Sequence, residues 1–307
     1  MNRQKLEKDT RAVFHDIHLE HLENKETSKR LSSILSPVSL NLPETFFSDK
    51  VCADLGCGSA MHGTVNLLNF GVKYVYAMDL DESFLEPARK LLESRPKFAG
   101  RWQLDIGSVI DLKYADNCFD FVLCQNVIHH TADELKALKE IHRVLRPGSK
   151  AYVNVVGKGG IITRFFMELL RDEYQNNAFL HNIMEKKFSE EWFKKQIDCL
   201  ADKMEDDGTP SYQNAKTFLL SLKNLVNKDL ILSMRDIFCA PTYKMYTEED
   251  FTDILKEVGF SSWYRVAIKI NYYNIRKIFS PLYYDYKHPL AKLFYGDGAV
   301  LNFIITK

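Results

Sequence analysis

The sequence predicts an α/β fold in which a doubly wound, mostly parallel sheet of seven strands carries helices on both faces. From residue 50 to residue 156, short apolar runs alternate with amphipathic helical segments, and this alternation is typical of parallel strands joined by crossover helices. Two further apolar runs, over 264–270 and 299–306, complete the sheet. Between the fifth strand and these two runs, residues 158–240 show helical patterns and no clear strand, which predicts a helical insertion.

Each predicted strand is a short run of mostly apolar residues. The runs cover residues 50–55, 74–80, 102–106, 119–125, 151–157, 264–270 and 299–306. Helices are predicted before the first strand over 4–36, and between the strands over 61–70 and 84–94. Pro87 lies inside the last of these and lacks a backbone donor, so we expect a break or a late helix start there.

Two segments cap predicted helices, and Thr131–Glu134 has the pattern of a capping box, in which a side chain at the start of a helix and one three residues later satisfy free backbone donors. Thr131–Glu134 precedes apolar residues at helical spacing, and Pro147-Gly148 ends that predicted helix. Thr247–Asp250 begins another helix, which runs to Gly259.

Composition argues against several classes of function. Lysine plus arginine equals aspartate plus glutamate at 41 each, so the formal net charge is zero and the basic surface of a general nucleic-acid binder is missing. The first residues have no apolar signal-peptide region, and no apolar run reaches a membrane span. The six cysteines form no CxxC pair, and we interpret them as reduced thiols of a cytoplasmic protein.

The most informative segment is Asp54-Leu-Gly56-Cys-Gly58-Ser-Ala60, directly after the first strand. Glycines there let the backbone turn sharply and approach a ligand, because a side chain would collide with it. A dinucleotide-binding turn has a third glycine three residues after the second, whereas residue 61 is methionine. The pattern therefore argues against NAD and FAD. A glycine-rich turn without a ligand is the alternative.

The segment resembles instead the first motif of class I, Rossmann-like S-adenosylmethionine-dependent methyltransferases, D/E-x-G-x-G-x-G, with Ala60 in place of the last glycine. Three further matches follow in the order of that family. Asp79 ends the second strand, Asp105-Ile106 ends the third, and residues 119–149 resemble the family's fourth strand, following helix and Pro-Gly turn. The resemblance extends from residue 50 to 157, with weaker support from 246 to 307.

This resemblance implies S-adenosylmethionine as methyl donor, S-adenosylhomocysteine as product, and donor contacts from the carboxyl ends of the first four strands. Asp54 would engage the donor's ammonium group and Asp79 its ribose hydroxyls. Asp105 would bind the adenine amino group, although an exposed aspartate after a strand is an equal alternative. The implied cofactor-binding residues are Asp54, Gly56, Cys57, Gly58, Asp79, Leu80, Asp105, Ile106, Gln125 and Asn126.

His129 and His130 follow the fourth strand and titrate in the range that a catalytic base needs. We name both as candidate catalytic residues. The alternative is that the pair only orients its loop. The resemblance favours this alternative, because the family has the pair across very different substrates.

Tyrosines are concentrated late in the chain, where nine of the fifteen lie between residues 243 and 295. Tyr272, Tyr283 and Tyr284 are candidates for binding the methyl acceptor by stacking or by surrounding a cationic amine. The alternative is that these rings pack an irregular segment with their hydroxyls in water.

The resemblance gives each segment an expected role. Residues 1–40 would form a helical lid, 41–157 together with 241–307 the donor-binding domain, and 158–240 a cap over the acceptor. His15, His18 and His21 recur every three residues. A metal site there is conceivable, but we assign no metal and interpret these histidines as part of a solvated helical face or of the lid.

The expected reaction is methyl transfer to an oxygen or nitrogen atom of a small-molecule acceptor, with no nucleic-acid partner. An RNA or protein methyltransferase is one alternative, and zero net charge weighs against RNA. A non-catalytic protein that only binds S-adenosylmethionine is the other.

The glycine motif yields a direct prediction about nucleotide choice. S-adenosylmethionine should raise the melting temperature of the protein in a saturable manner, whereas NAD and FAD should leave it unchanged, because the third glycine of the dinucleotide turn is missing. Differential scanning fluorimetry measures both responses. Saturable stabilisation by NAD or FAD alone would contradict the assignment.

Overall fold

The computed structural model describes residues 3–23, 35–161, 167–224, 226–267 and 289–307. Within these residues, eight strands form one sheet. They are β1 (Val51–Leu55), β2 (Tyr74–Asp79), β3 (Trp102–Ile106), β4 (Phe119–Cys124), β5 (Leu145–Gly157), β6 (Met245–Tyr246), β7 (Ser262–Arg265) and β8 (Val300–Thr306).

The strand order is β3-β2-β1-β4-β5-β8-β7, and β6 pairs with the end of β5 beside this path. Strands β1 to β5 are mutually parallel, and β8 runs antiparallel to both β5 and β7. The predicted doubly wound, mostly parallel sheet of seven strands is therefore confirmed. The two-residue β6 is an addition, too short for a periodic pattern to indicate it.

Helices cover both faces of this sheet, and further helices build the insertion. They are α1 (Arg3–Glu23), α2 (His62–Asn69), α3 (Leu85–Glu93), α4 (Glu134–Val144), α5 (Leu169–Asn176), α6 (Ala178–Lys186), α7 (Glu190–Asp202), α8 (Pro210–Ser221), α9 (Lys228–Cys239), α10 (Glu248–Val258) and α11 (Pro289–Tyr295). Helices α2 and α3 contribute to one apolar core, and α4 and α10 to the other. Strands buried on both faces explain why their sequences are almost continuously apolar.

Pro87 does not break its helix. Helix α3 begins at Leu85, after a short 3₁₀ turn over Glu82–Phe84, so the proline falls in the first helical turn. The backbone donors of that turn have no partner within a helix, and the missing N–H of Pro87 therefore costs little.

The capping box expected at Thr131 is wrong. Asp133 caps α4, its side chain accepting from the Lys136 N–H at 2.9 Å, while the Thr131 hydroxyl donates to the Ile128 carbonyl. Thr131 is the C-cap of a short 3₁₀ turn over Ile128–His130. The N-cap of α4 therefore lies two residues later than expected, at Asp133.

The boundary between α4 and β5 also differs from the prediction. The helix ends at Val144, and β5 begins at Leu145 instead of residue 151. Pro147 and Gly148, the latter with φ 75°, lie inside the strand, where the β4–β5 register shifts between Phe119 and Phe121. A strand irregularity tolerates a proline without a donor and a left-handed glycine, so these residues do not mark a helix end here.

The described part of residues 158–240 is helical, as predicted, and contains α5 to α9. Two small apolar clusters hold it together, one around Tyr174, Met184 and Phe238 and the other around Ile197, Val226 and Ile231. None of the described helices combines the length and apolar character that crossing a membrane requires. All six cysteines are free thiols, with Cys52 and Cys124 completely buried.

The helix start expected at Thr247 is present as a capping box and gives a stability prediction. The Thr247 hydroxyl accepts from the Asp250 N–H at 3.0 Å, and the Asp250 carboxylate accepts from the Thr247 N–H at 3.2 Å. Thr247→Ala should lower the free energy of unfolding by about 1 kcal/mol, the usual effect of losing such a cap. Urea denaturation measures the change. Thr247→Ser keeps the hydroxyl and is the matched control, and equal stability of the two variants would contradict the assignment.

Candidate active site

The glycine loop after β1 is held in a fixed shape by the neighbouring strand. The backbone N–H groups of Gly56 and Cys57 both donate to the Met78 carbonyl at the end of β2. Gly56 and Gly58 have φ values of 76° and 59°, which side chains rarely adopt. The loop therefore exposes backbone to the space above the sheet, as the motif predicted.

The obstacle to a side chain at Gly56 is the protein itself. A Cβ atom built there would lie 2.2 Å from Cγ2 of Val127, in the loop after β4. The sequence suggested a collision with the ligand, and the structure replaces this reason with contact between two loops of the chain.

Asp79 ends β2 and organises both adjoining loops. One carboxylate oxygen accepts from the Gly58 N–H at 2.9 Å, and the other accepts from the Asp81 N–H at 3.1 Å. The side chain is buried, yet it lines the cavity described below. A carboxylate has about four acceptor positions, so two remain for other donors.

Asp54 lies beneath the glycine loop. Its carboxylate accepts from the Thr64 hydroxyl at 2.7 Å. Burial raises the pKa of this carboxyl to about 6, and the hydrogen bond from Thr64 lowers the pKa by a smaller amount. Among the described residues, Asp54 is thus a buried acid poised near neutral pH that also lines the cavity.

Asp105 and Ile106, the residues expected to contact the adenine, lie outside the cavity lining. Asp105 accepts from Gln103 and from the Tyr114 hydroxyl, both at 2.8 Å, and Ile106 is 43% exposed. Neither residue lines the cavity, because their side chains are directed to the protein surface and to Tyr114. The lining at this strand end comes from Gly107, Ser108, Val109 and Ile110.

Two asparagines fix the loop after β4. Asn126 has φ 58°, and its N–H donates to the Asn154 side-chain oxygen at 2.5 Å, while the Asn154 amide donates back to Asn126 Oδ1 at 3.0 Å. Asparagine tolerates the left-handed region better than most residues. Sequence reasoning missed Asn154, although a lone amide within the apolar strand segment AYVNVVG was the available signal. Gln125 and Asn126 line the cavity as expected.

The two histidines differ in their surroundings. His130 is held at Nδ1 by the Thr242 carbonyl at 2.8 Å, and its Nε2 lies 3.3 Å from the Asp236 carboxylate of α9. His129 is 2% exposed, and its Nδ1 has no hydrogen-bond partner among the described residues. Burial, together with the neighbouring His130, places the pKa of His129 well below its usual range. Both rings line the cavity.

Helix α1 lies against the glycine loop and reaches the insertion. His15 Nδ1 contacts both the Asp81 carboxylate and the Ser83 hydroxyl at 2.8 Å. Phe14 packs edge-on against His130, and Glu20 pairs with Arg235 of α9. The described residues contain no group of three or more side chains suited to hold a metal ion.

These elements enclose one cavity of about 540 Å³, within the range of small-molecule sites. The glycine loop, Leu80 and the β4 loop line it together with α1, α9, Tyr243 and Tyr295. Tyr272, Tyr283 and Tyr284, the tyrosines expected to bind the acceptor, lie outside the described residues. Tyr243 and Tyr295 come from the same tyrosine-rich region.

The residues that line this cavity have the chemistry needed to bind the donor implied by the sequence. Gly56 and Gly58 line the cavity without side chains, and the Asp79 carboxylate beside them offers unused acceptor positions for hydroxyl groups. Asp54, Gly56, Cys57, Gly58, Asp79 and Leu80 all line the cavity and would hold it.

Comparison with known proteins agrees with this geometry. A family model described as a methyltransferase domain matches residues 53–153, from β1 into β5. An uncharacterised protein of Methanocaldococcus jannaschii is 33% identical over 114 residues, which are 37% of this chain and 44% of that protein. A 2-phytyl-1,4-naphtoquinone methyltransferase of Nostoc punctiforme is 32% identical over 108 residues, 34% of this chain and 46% of the relative.

The matches thus span less than half the length of these curated relatives. Among solved structures, a 1,6-didemethyltoxoflavin-N1-methyltransferase of Burkholderia thailandensis, crystallised with that compound and S-adenosylhomocysteine, superposes with a TM-score of 0.52 at 15% identity. The alignment covers 100% of this chain and 91% of that one, and it concerns the fold.

The glycine loop, Asp79 and strands β2 to β4 all lie within the residues that this family model matches. Residues 53–153 therefore carry a methyltransferase domain with a class I, Rossmann-like fold, and S-adenosylmethionine is the methyl donor of this class of enzyme.

Proposed function

We propose that this protein transfers a methyl group to an oxygen or nitrogen atom of a small-molecule acceptor bound beside the donor. This proposal rests on one observation. The glycine loop and Asp79 line the same cavity as side chains of helix α9, which belongs to the insertion. A cavity of this size, partly open to solvent, suits a small molecule next to the donor.

The donor supplies a methyl group that is already activated by its sulfonium. Asp79 would accept hydrogen bonds from the ribose, and Asp54 would pair with the ammonium group. An acceptor lone pair then forms the new bond to the methyl carbon while the carbon–sulfur bond breaks and leaves its electrons on sulfur. The protein therefore contributes mainly by holding the two reactants in line.

A proton leaves the acceptor during or after transfer, and His129 is our candidate to receive it. Its ring lines the cavity and is neutral at physiological pH, because burial lowers its pKa. His130 is engaged on both sides by Thr242 and Asp236, so we assign it the role of holding the loop.

We further propose that residues 1–40 form a lid and residues 158–240 an acceptor cap. The contacts of α1 with Asp81 and with Arg235 support the lid, and the lining residues of α9 support the cap. Closure of both segments would exclude water from the transferring methyl. Tyr272, Tyr283 and Tyr284 remain proposed acceptor contacts.

The proposed activity predicts labelling of small molecules. With methyl-labelled S-adenosylmethionine and a cell extract separated by size, label should appear in the low-mass fraction.

Asp79→Asn keeps one acceptor for Gly58 but loses charge, and should weaken donor binding by about 2 kcal/mol, the scale of a charge-assisted hydrogen bond.

The control for this assay is Asp253→Asn, on the exposed side of α10 and outside the cavity lining. Label in the protein or RNA fraction instead would support the alternative substrate classes. Donor binding by calorimetry without any labelled product would indicate a non-catalytic binder.

The raised pKa of Asp54 predicts a pH dependence of donor binding. An ammonium group binds the carboxylate form only, so protons compete with the ligand once the pH falls below the pKa of about 6 in the free protein. The affinity for S-adenosylhomocysteine should fall by up to about tenfold per pH unit below 6. Calorimetry between pH 8 and 5 tests this, and Asp54→Asn should flatten the curve. A wild-type affinity that is constant over this range would contradict the assignment.

A further inference from the structure

The part of the cavity that the donor loops do not form is mostly apolar. We use the name acceptor wall for the part of the lining that comes from the insertion, from the ends of β5 and β8, and from Tyr243 and Tyr295. Its apolar side chains include Val156, Met167, Leu230, Met234, Ile237 and Val300. Apolar surface of this kind binds a ligand chiefly by removing both surfaces from water.

The polar groups of the acceptor wall are mainly uncharged. Asn154 and Asn302 lie opposite each other on β5 and β8, and Ser233 lies on α9. Asn302 accepts from the buried Tyr152 hydroxyl at 2.7 Å, and the Asn154 amide is engaged with Asn126. These groups are held in place by neutral hydrogen bonds, so they orient a ligand without requiring it to be charged.

The carboxylates that line the cavity already have partners in the chain. Glu7 accepts from Ser108, Asp54 from Thr64, and Asp79 from two backbone N–H groups. The two remaining acids, Asp81 and Asp236, face His15 and His130.

Cations are equally scarce in the described lining. It contains no lysine, and its one arginine, Arg11, is exposed on α1. His129 is neutral at physiological pH because burial lowers its pKa. An anionic acceptor would therefore lose its hydration without gaining an opposite charge, which is costly in a buried site. A cationic acceptor would have to compete with His130 for Asp236, the acid of the acceptor wall.

Taking the proposed methyl transfer as its basis, we infer that the acceptor is an uncharged, largely apolar small molecule whose nucleophile is a hydroxyl or a neutral amine. Acceptors that carry a carboxylate, a phosphate or an ammonium group are not recognised by this wall.

Three probes that share one ring system and differ in charge test this inference. We choose 1-naphthol, 1-naphthoate and 1-naphthylmethylammonium, titrated by calorimetry into the protein saturated with S-adenosylhomocysteine, which lacks the sulfonium charge. 1-Naphthol should bind at least tenfold more tightly than either ion. Equal or tighter binding of an ion overturns the inference. Absence of 1-naphthol binding up to its solubility limit also overturns it, because an apolar wall of this extent should accept a bicyclic ring.

A charge placed on the wall provides a second test. Ser233→Lys adds an ammonium group to the lining, and it should raise the affinity for 1-naphthoate at least tenfold relative to wild type. Ser221→Lys, exposed on α8 and outside the lining, should leave all three affinities unchanged. If Ser233→Lys folds and binds 1-naphthoate no better than the control, the wall has been misplaced.

These binding measurements are independent of turnover. If 1-naphthol binds with the expected preference and no extract component is methylated, the proposed function fails and the inference on recognition stands. If extract components are methylated but 1-naphthoate binds best, only the inference fails.

Discussion

The site depends on the close approach of two loops at the carboxyl edge of the sheet. Gly56 and Val127 are so near each other that even one added carbon would overlap Val127. The first loop is anchored to β2 through the Met78 carbonyl and Asp79, and the second is anchored to β5 through Asn154. The adjacent strands β2, β1, β4 and β5 therefore fix the positions of both loops, and the register of these strands determines the shape of the site.

Much of this arrangement was predictable because it rests on local patterns. Continuous apolar runs identify buried parallel strands, and Gly56 and Gly58 are needed for a left-handed turn that other residues rarely form. The acid at position 79 follows from the end of the second run. Each of these features lies within a few residues of its cause, so the sequence alone was sufficient to place it.

The missed features depend on contacts distant in the chain. Nothing near Asp105 indicates that Tyr114 binds its carboxylate, and nothing near Asn126 indicates a partner 28 residues away. The start of α4 was misplaced because Thr131 and Asp133 both suit a helix cap, and the preceding 3₁₀ turn decides between them. His15 was considered as a metal ligand, whereas its actual partner, Asp81, is 66 residues further along the chain.

The antiparallel pairing of β5 with β8 has a consequence for how this domain tolerates variation. Lys150 and Thr306 meet although they are 156 positions apart, and the whole insertion lies in the loop that this pairing closes. The entropy of closing such a loop grows only logarithmically, with each doubling of its length costing about 0.6 kcal/mol. The stability of the sheet therefore depends little on the length of the segment between β5 and β8. Chimeras that exchange the segment between β5 and β6 would change the side of the cavity that α9 lines, while the edge formed by β1, β2, β4 and β5 keeps its geometry.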